Sequence, residues 1–416
     1  MADLKLRKAN PADVPELAQL HEWSYPLSKL NLREREAVFA DNPRGSLEDV
    51  YVVTDDQQPV ACMFAYRFEQ YQEETAVPVV GFGNVAVRPD RRREGIAHFM
   101  IAEALKELDE EGVAACILYP FQHRFYRRLG WGYAGEVKEY RIQCSQLWEY
   151  DVEDEDRDIS VELVSDPAGS DLMAFYEEIA RRSNGMLKRE LRYWMEEVFA
   201  PGRIAVAVRF SGDLIGYMIY SLQRYSESNS FVQEMVIHEW QAATLEAQEA
   251  LLMYISRLND QIQIVRLILP GDEPFHLWVE DPRSENHRMI HRLYSETAVL
   301  GLGWMYRIVN LRSAFESGRR FNGITGLLTV ELLDELIGDR LLTFEFNGKG
   351  AKAREEEGNP KRRVVGSVDA FSQMFCGYTG AEDAFRYGLL EFEGEDTVEF
   401  CRNAFTLPKT RCFDLF

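Results

Sequence analysis

The stretch Val85-Ala86-Val87-Arg88-Pro89-Asp90-Arg91-Arg92-Arg93-Glu94-Gly95-Ile96-Ala97-His98 decides how this chain is read. Val85, Ala86 and Val87 finish an extended apolar run, Pro89 ends it, and a short basic loop follows. Gly95 then opens GIAHFMIAEALKELDEEG, in which Ile96, Phe99, Met100, Leu105 and Leu108 fall on one helical stripe and Gly112 closes the helix. At such a junction the unpaired N–H groups of the first helical turn point outward together, and the helix dipole adds partial positive charge. The backbone alone can then hold a pyrophosphate. Gly95 and Ala97 are small enough to let the phosphates approach, so Arg92, Arg93, Glu94, Gly95, Ile96, Ala97 and His98 are candidate binding positions. A basic turn on an acidic protein is the alternative.

Outward from this junction the N-terminal segment reads as mixed α/β. LKLRKA is a short strand, Asn10-Pro11 caps the helical ADVPELAQLHEW, and VYVVTD and PVACMFAYRF flank the polar turn Asp55 to Gln58. VPVVGFGNVAVRP and VAACILYP supply two more strands. The acidic run YDVEDEDRD at 150–158 reads as a solvated linker and a boundary. Beyond it, RIAVAVRF, LIGYMIYSLQ, FVQEMVIHEW, the helical ATLEAQEALLMYISRLN and IQIVRLILP repeat the earlier element order, which suggests an internal duplication. The second copy has QAATLEAQEA at its strand-to-helix junction, without the Gly and Arg that the first copy places there. A third segment opens near Trp304-Met305-Tyr306, with GLLTVELLD and RLLTFEFNG as hairpin strands, GKGAKAREEEGNPKRR as an exposed loop or strand edge, and AFSQMFCG and TVEFCRNAF as helices.

The 416 residues allow about three domains at roughly 150 residues each. With 46% hydrophobic residues the chain can build real cores, which excludes disorder over most of its length. Lys plus Arg is 47 against 69 for Asp plus Glu, a net charge of −22 that disfavours nucleic acid and suits a cationic partner. MADLKLRKANPADV lacks a signal-peptide pattern, and no run of about 18 apolar residues occurs, so the expectation is a cytoplasmic chain with no membrane association. Six scattered cysteines without CxxC spacing or a His cluster point to reduced thiols and no metal site.

Arg92-x-x-Gly95-x-Ala97, set between a strand and a helix, resembles the [QR]-x-x-G-x-[GA] loop of the GNAT N-acetyltransferase superfamily. The resemblance implies acetyl-CoA as acetyl donor, with the backbone of Val85, Ala86 and Val87 pairing with its pantetheine arm. Further on, Phe121-Gln122-His123-Arg124-Phe125-Tyr126-Arg127-Arg128-Leu129-Gly130-Trp131 is similar to the superfamily's F-Y-x-x-x-G-F element. That likeness makes Tyr126 the general acid facing the sulfur, because a phenol with a pKa near 10 can protonate a departing thiolate. It also adds Phe121 and Gln122 to the cofactor contacts. An aromatic filling a helix-to-sheet gap is the packing alternative for Tyr126, and His98 and His123 read as solvated side chains.

Over its full length the chain resembles the enhanced intracellular survival (Eis) family of bacterial acetyltransferases. The resemblance rests on the domain order, W-M-Y-R-I-V-N at 304–310 and the final Phe416. It implies an α+β chain: a catalytic GNAT domain at 1–148, a degenerate GNAT domain at 149–303, and a sterol-carrier-protein-like domain at 304–416. It further implies direct acetyl transfer to a primary amine of an aminoglycoside, a polyamine or lysine, a homohexamer of two trimers, and the terminal carboxylate of Phe416 as base. One departure is that Leu415 precedes the last residue, with Asp414 one further back, so the penultimate acidic contact of some members is missing. Trp23, Tyr25, Phe39 and Phe82 are candidates to wall the substrate cleft, and each is equally suited to a core.

Overall fold

Consecutive left-handed residues turn the first hairpins. In the computed structural model, which describes residues 3–148, 158–226, 231–354 and 361–416, strand β1 (Lys5–Lys8) is followed by helices α1 (Val14–Ser24) and α2 (Leu32–Ala40). Asn10 and Asn31 accept from backbone N–H groups at the starts of the two helical segments. Strand β2 (Val50–Asp55) pairs with β1 and turns through Asp56 and Gln57, with φ of 48° and 68°, into β3 (Gln58–Gln72). Glu73 and Glu74 repeat the device, at 48° and 67°, and lead into β4 (Thr75–Val87). Two positive φ values in a row match the natural twist of the strands they join. The linker read at 150–158 lies, apart from Asp158, outside the described residues, as does 355–360 of the expected exposed loop.

Strand β4 runs parallel to β5 (Ala115–Leu118), a pairing that requires a crossover, and α3 (Ile96–Glu110) supplies it. Ile96, Met100, Leu105 and Leu108 of α3 are buried against Val80 and Phe82 of β4 and Cys116 and Leu118 of β5. Helix α4 (His123–Arg127) and β6 (Gly132–Tyr133) complete the N-terminal segment. The seventh strand of this sheet is Met305–Ile308, inserted between β5 and β6. From the sequence alone, a separate third segment opens there. An extended apolar tetrapeptide carries no local mark of the sheet it will join; the free edge of β5 and the burial of Met305, Tyr306 and Ile308 decide it. One unit therefore comprises Met1–Gly135, Arg181–Lys188 and Gly303–Phe416.

Glu136–Ala180 and Arg189–Leu302 form a second unit around another seven-stranded sheet, in which Glu136–Gln143 is an inner strand. Its strands Gln233–Ala242 and Ile262–Pro270 are parallel and joined by helix Leu245–Ser256, the topology that α3 gives the first sheet. Here Thr244 accepts from the N–H of Ala247 at 3.2 Å, so a side chain of the protein itself caps the helix.

The C-terminal part of the first unit is a five-stranded sheet with helices, and its interior is filled with phenylalanine. Phe315 stacks on Phe344 with ring centres 3.8 Å apart, while Phe321, Phe371, Phe375 and Phe405 close around them. A buried ion pair ties this layer to the N-terminal segment. Arg307, fully buried, donates from Nη2 to both carboxylate oxygens of Asp334 at 2.8 Å and from Nε to the carbonyl of Leu129 at 2.8 Å. Such a pair contributes little net stability over a well-packed apolar substitute, but removing one partner strands a charge in the interior. Asp334→Ala is expected to cost about 3–5 kcal/mol, read as a lowered unfolding temperature. An unchanged transition would show that Arg307 finds compensation elsewhere.

Candidate active site

The site begins where two strands part. The ladder between β4 and β5 ends at Phe82 opposite Leu118, while β4 continues to Val87. Against β3, Ala86 pairs with Cys62 and Gly83 with Phe64, so β4 spends Asn84 and Val85 where β3 spends only Met63. This is a bulge, with Asn84 left-handed at φ 50°, and a bulge bends its strand and increases the local twist. Its geometry is tied down on both sides. Asn84 Nδ2 donates to the Tyr66 hydroxyl at 3.2 Å, and the Tyr25 hydroxyl donates to the carbonyl of Val85 at 3.1 Å. Beyond the bulge, a cavity of about 800 Å³ opens between the strand ends.

One end of the cavity is the basic loop. Arg93 (φ 67°) and Gly95 (φ 84°) are both left-handed, and no side chain caps α3, in contrast to Thr244 in the second unit. A Cβ built on Gly95 would meet nothing within 4 Å, so glycine is required by the backbone angle and not by packing. Arg92, Arg93, Gly95, Ile96, Ala97 and His98 line the cavity, whereas Glu94 turns to Arg91 at 2.7 Å. Strand alternation sends Val85 and Val87 into the lining and buries Ala86 completely on the other face. Phe121 and Gln122 stand at the rim, with Phe121 98% exposed.

The other end holds Tyr126 and Phe416, which the fold brings to one cavity from positions 290 residues apart in the chain. Tyr126 is buried edge-on to Trp131, and burial pushes its phenol up to about 12, so it stays protonated at neutral pH. The ring of Phe416 sits among Tyr66, Phe68 and Tyr119, with centres 6.3, 5.0 and 5.4 Å away. Glycines make the space for it. A Cβ on Gly81 would lie 2.8 Å from the ring of Phe416, and one on Gly83 would lie 2.9 Å from its carboxyl carbon.

The preceding residues are fastened one by one. Asn184 accepts from the N–H of Arg411 at 2.7 Å and its Nδ2 donates to the carbonyl of Pro408 at 2.9 Å. Thr410 donates to the carbonyl of Ala134, and the Tyr119 hydroxyl donates to the carbonyl of Cys412 at 3.1 Å. Asp414 is buried 3.7 Å from the guanidinium of Arg44, so it turns inward to fasten the tail. Among the described residues, no aspartate or glutamate side chain lines the cavity.

Of the proposed aromatic wall, Tyr25 and Phe82 line the cavity. Phe39 does not: it is fully buried and stacked on Phe64 at 5.5 Å, because α2 lays this face on the sheet. Trp23, at the end of α1, is 45% exposed and outside the lining. His98 is exposed as expected, while Nε2 of His123 is buried without a hydrogen-bond partner among the described residues. Sequence reasoning passed over Asn84, Tyr119, Arg44 and the pair Gly81 and Gly83. Two glycines at alternate positions of an otherwise apolar strand do carry a signal, since glycine in a strand marks a close approach by another group. Six free cysteines are all buried, no group of three or more potential metal ligands occurs among the described residues, and no helix among them is long and apolar enough to cross a membrane.

Two families match the chain, both described as acetyltransferase (GNAT) domains, one over residues 5–134 and the other over 185–308. No curated protein sequence matches it. Among solved structures it is similar to a GCN5-related N-acetyltransferase from Anabaena variabilis, with 18% identity over 99% of this chain and 100% of that one and a TM-score of 0.82. A probable N-acyltransferase from Enterococcus faecalis has 21% identity over 100% of both chains and a TM-score of 0.80. Eis1 from Mycobacterium abscessus has 18% identity over 99% of this chain and 100% of that one, with a TM-score of 0.75. The chain thus carries two GNAT acetyltransferase domains in tandem, within a fold that it shares over its full length with Eis1.

Proposed function

We propose that the protein transfers acetyl from acetyl-CoA directly to a primary amine of a cationic small molecule, aminoglycoside- or polyamine-like, or of lysine. The observation that carries this reading is the convergence in one cavity of an uncapped, glycine-opened helix start, a buried phenol and the carboxyl end of Phe416. The loop from Arg92 to His98 takes the pyrophosphate on backbone N–H groups, and the unpaired edge of β4 beyond Phe82 takes the pantetheine amides. The amine arrives as an ammonium ion and must lose a proton to attack. The Phe416 carboxylate is the anion available to accept it, directly or through water, and at a reference pKa near 3.5 it is ionised at neutral pH. As the C–N bond forms and the C–S bond breaks, the Tyr126 phenol gives its proton to the departing sulfur. The acidic net charge of −22 favours a cationic acceptor.

The second GNAT domain serves as scaffold in this reading, because Thr244 occupies the helix start where a phosphate would sit. Residues 304–416 act as a sterol-carrier-like layer whose task is to present the tail, and the ring-filled interior supports anchoring over lipid carriage. A homohexamer and a cytoplasmic location belong to the same reading.

The direct test is free-thiol release from acetyl-CoA with a panel of amines. Acetyl-CoA binding without turnover on any amine would sink the proposal in favour of a binding module. Gly95→Val should weaken acetyl-CoA binding at least about tenfold, or ~1.4 kcal/mol, by calorimetric titration, and unchanged affinity in a folded variant would remove the loop assignment. Tyr126→Phe should lower kcat by about 10- to 1000-fold with acetyl-CoA affinity kept; turnover near the parent value would reduce Tyr126 to packing. Extending the chain by a few small residues past Phe416, or making Gly83→Ala, should abolish most turnover while acetyl-CoA still binds. Full activity in both, with the extension verified by intact mass, would exclude the Phe416 carboxylate as base.

A further inference from the structure

Behind the bulge of β4 lies a row of polar side chains that the chemistry proposed above does not use. His21 on α1 and Arg35 on α2 are both buried. Nη1 of Arg35 donates to Nδ1 of His21 at 2.8 Å and Nη2 to the carbonyl of Ser28 at 2.9 Å, and among the described residues no carboxylate pairs with it. A guanidinium taken out of water without a counter-charge is costly, and its neighbours show what it orders.

These contacts assign every hydrogen in the row. Arginine has donors and no acceptor, so Nδ1 of His21 accepts and the ring proton sits on Nε2. The side chain of His21 hydrogen-bonds that of Asn84, and with Nδ1 taken the donor is Nε2 and the acceptor Oδ1 of Asn84. The Asn84 amide nitrogen is thereby turned to the Tyr66 hydroxyl, to which it donates at 3.2 Å, beside a second donation at 3.2 Å from Asn42. The row runs one way, from Arg35 through His21 and Asn84 to Tyr66. Burial, and then the charge of Arg35, push the imidazole down to about 4, so it is neutral at neutral pH. Its ring lone pair is committed to Arg35, so it is not a base.

What the row holds is Asn84, the left-handed residue of the bulge, which lines the cavity. The His21 ring also lies 4.8 Å from the ring of Tyr25, whose hydroxyl holds the carbonyl of Val85. One imidazole therefore backs both contacts that fix the bend. We infer that His21, oriented by Arg35, is a positioning residue for acyl transfer: it fixes the Asn84 amide, and through it the course of β4 past the point where its partner strand ends. This rests on the acetyl-transfer reading above and adds to it the side chain that sets the geometry of the strand.

Two near-isosteres, made in the full chain, separate the hydrogen bond from packing. In His21→Gln an amide nitrogen reaches the place of Nε2 and still donates to Asn84; in His21→Asn the amide serves Arg35 and falls short of Asn84. His21→Asn should lower kcat about 10- to 100-fold, the scale of a reacting group misplaced by about 1 Å. Acetyl-CoA affinity should stay within about threefold, because the loop from Arg92 to His98 is untouched, and His21→Gln should bring kcat back to within about threefold of wild type. Hydrogen exchange read by mass spectrometry over residues 82–88 should quicken in His21→Asn and not in His21→Gln. Asn84→Gly keeps the left-handed backbone and removes the amide, so it should show the same loss of kcat alone, and adding His21→Asn to it should cost nothing more. Equal losses in the Gln and Asn variants, or a further loss in the Asn84→Gly background, would reduce His21 to packing. Full turnover in Asn84→Gly would overturn the inference even if His21→Asn did not fold. Unchanged exchange in a folded His21→Asn would overturn the hold on the strand whatever the activity, whereas a wild-type protein that acetylates no amine while exchange responds as expected would overturn the acetyl-transfer reading instead.

Discussion

The early end of the ladder between β4 and β5 is the constraint on which the rest of the site depends. Up to Phe82 the two strands satisfy each other's backbone groups; past it, the bulge at Asn84 and Val85 bends β4 away. A strand edge without a partner inside a folded unit has to be satisfied by something else. The edge of β4 faces a cavity that Tyr126 and Phe416 also line. Tyr25, reaching from the end of α1 to the carbonyl of Val85, and Asn84, bonded to Tyr66, hold the bend in place. The opening is therefore a built feature of the sheet.

The same sheet receives pieces from far along the chain. Met305–Ile308 fills the position between β5 and β6, and this seats the C-terminal layer against the N-terminal segment through Arg307 and Asp334. With the layer fixed, the last residues reach back through Thr410, Cys412 and Asp414 to set Phe416 over Gly81 and Gly83. Each anchor contributes modestly, since a buried hydrogen bond is worth about 1 kcal/mol and an aromatic pair about 0.5–1.5 kcal/mol. Together they hold residues 410–416 at one place, because several weak contacts agree on it.

The two GNAT domains differ at the start of the helix that follows the central strand. In the first, Arg93 and Gly95 are left-handed and no side chain caps the helix. In the second, Thr244 turns its own hydroxyl oxygen onto the N–H of Ala247. The helix, its parallel strands and its buried face are otherwise alike, so one residue type at the N-cap changes what the same local electrostatics can bind.

Local chemistry was legible in the sequence wherever the relevant groups are neighbours in the chain. The basic loop from Arg92 to His98, the stripe of α3, the short helix around Tyr126 and the missing glycine of the second copy all lie within a few residues, and periodicity and residue type suffice to read them. The bulge at Asn84, the sheet that Met305–Ile308 joins, the burial of Phe39 and the inward turn of Asp414 were not legible there. These are settled by partners dozens to hundreds of residues away, on Tyr66, β5, Phe64 and Arg44. A short strand or an aromatic side chain has the same local preference in either setting, and only competition among distant surfaces for burial and for unpaired backbone groups selects one. The residues proposed for the chemistry are thus written along the chain, while their meeting in one cavity is a property of the tertiary structure alone.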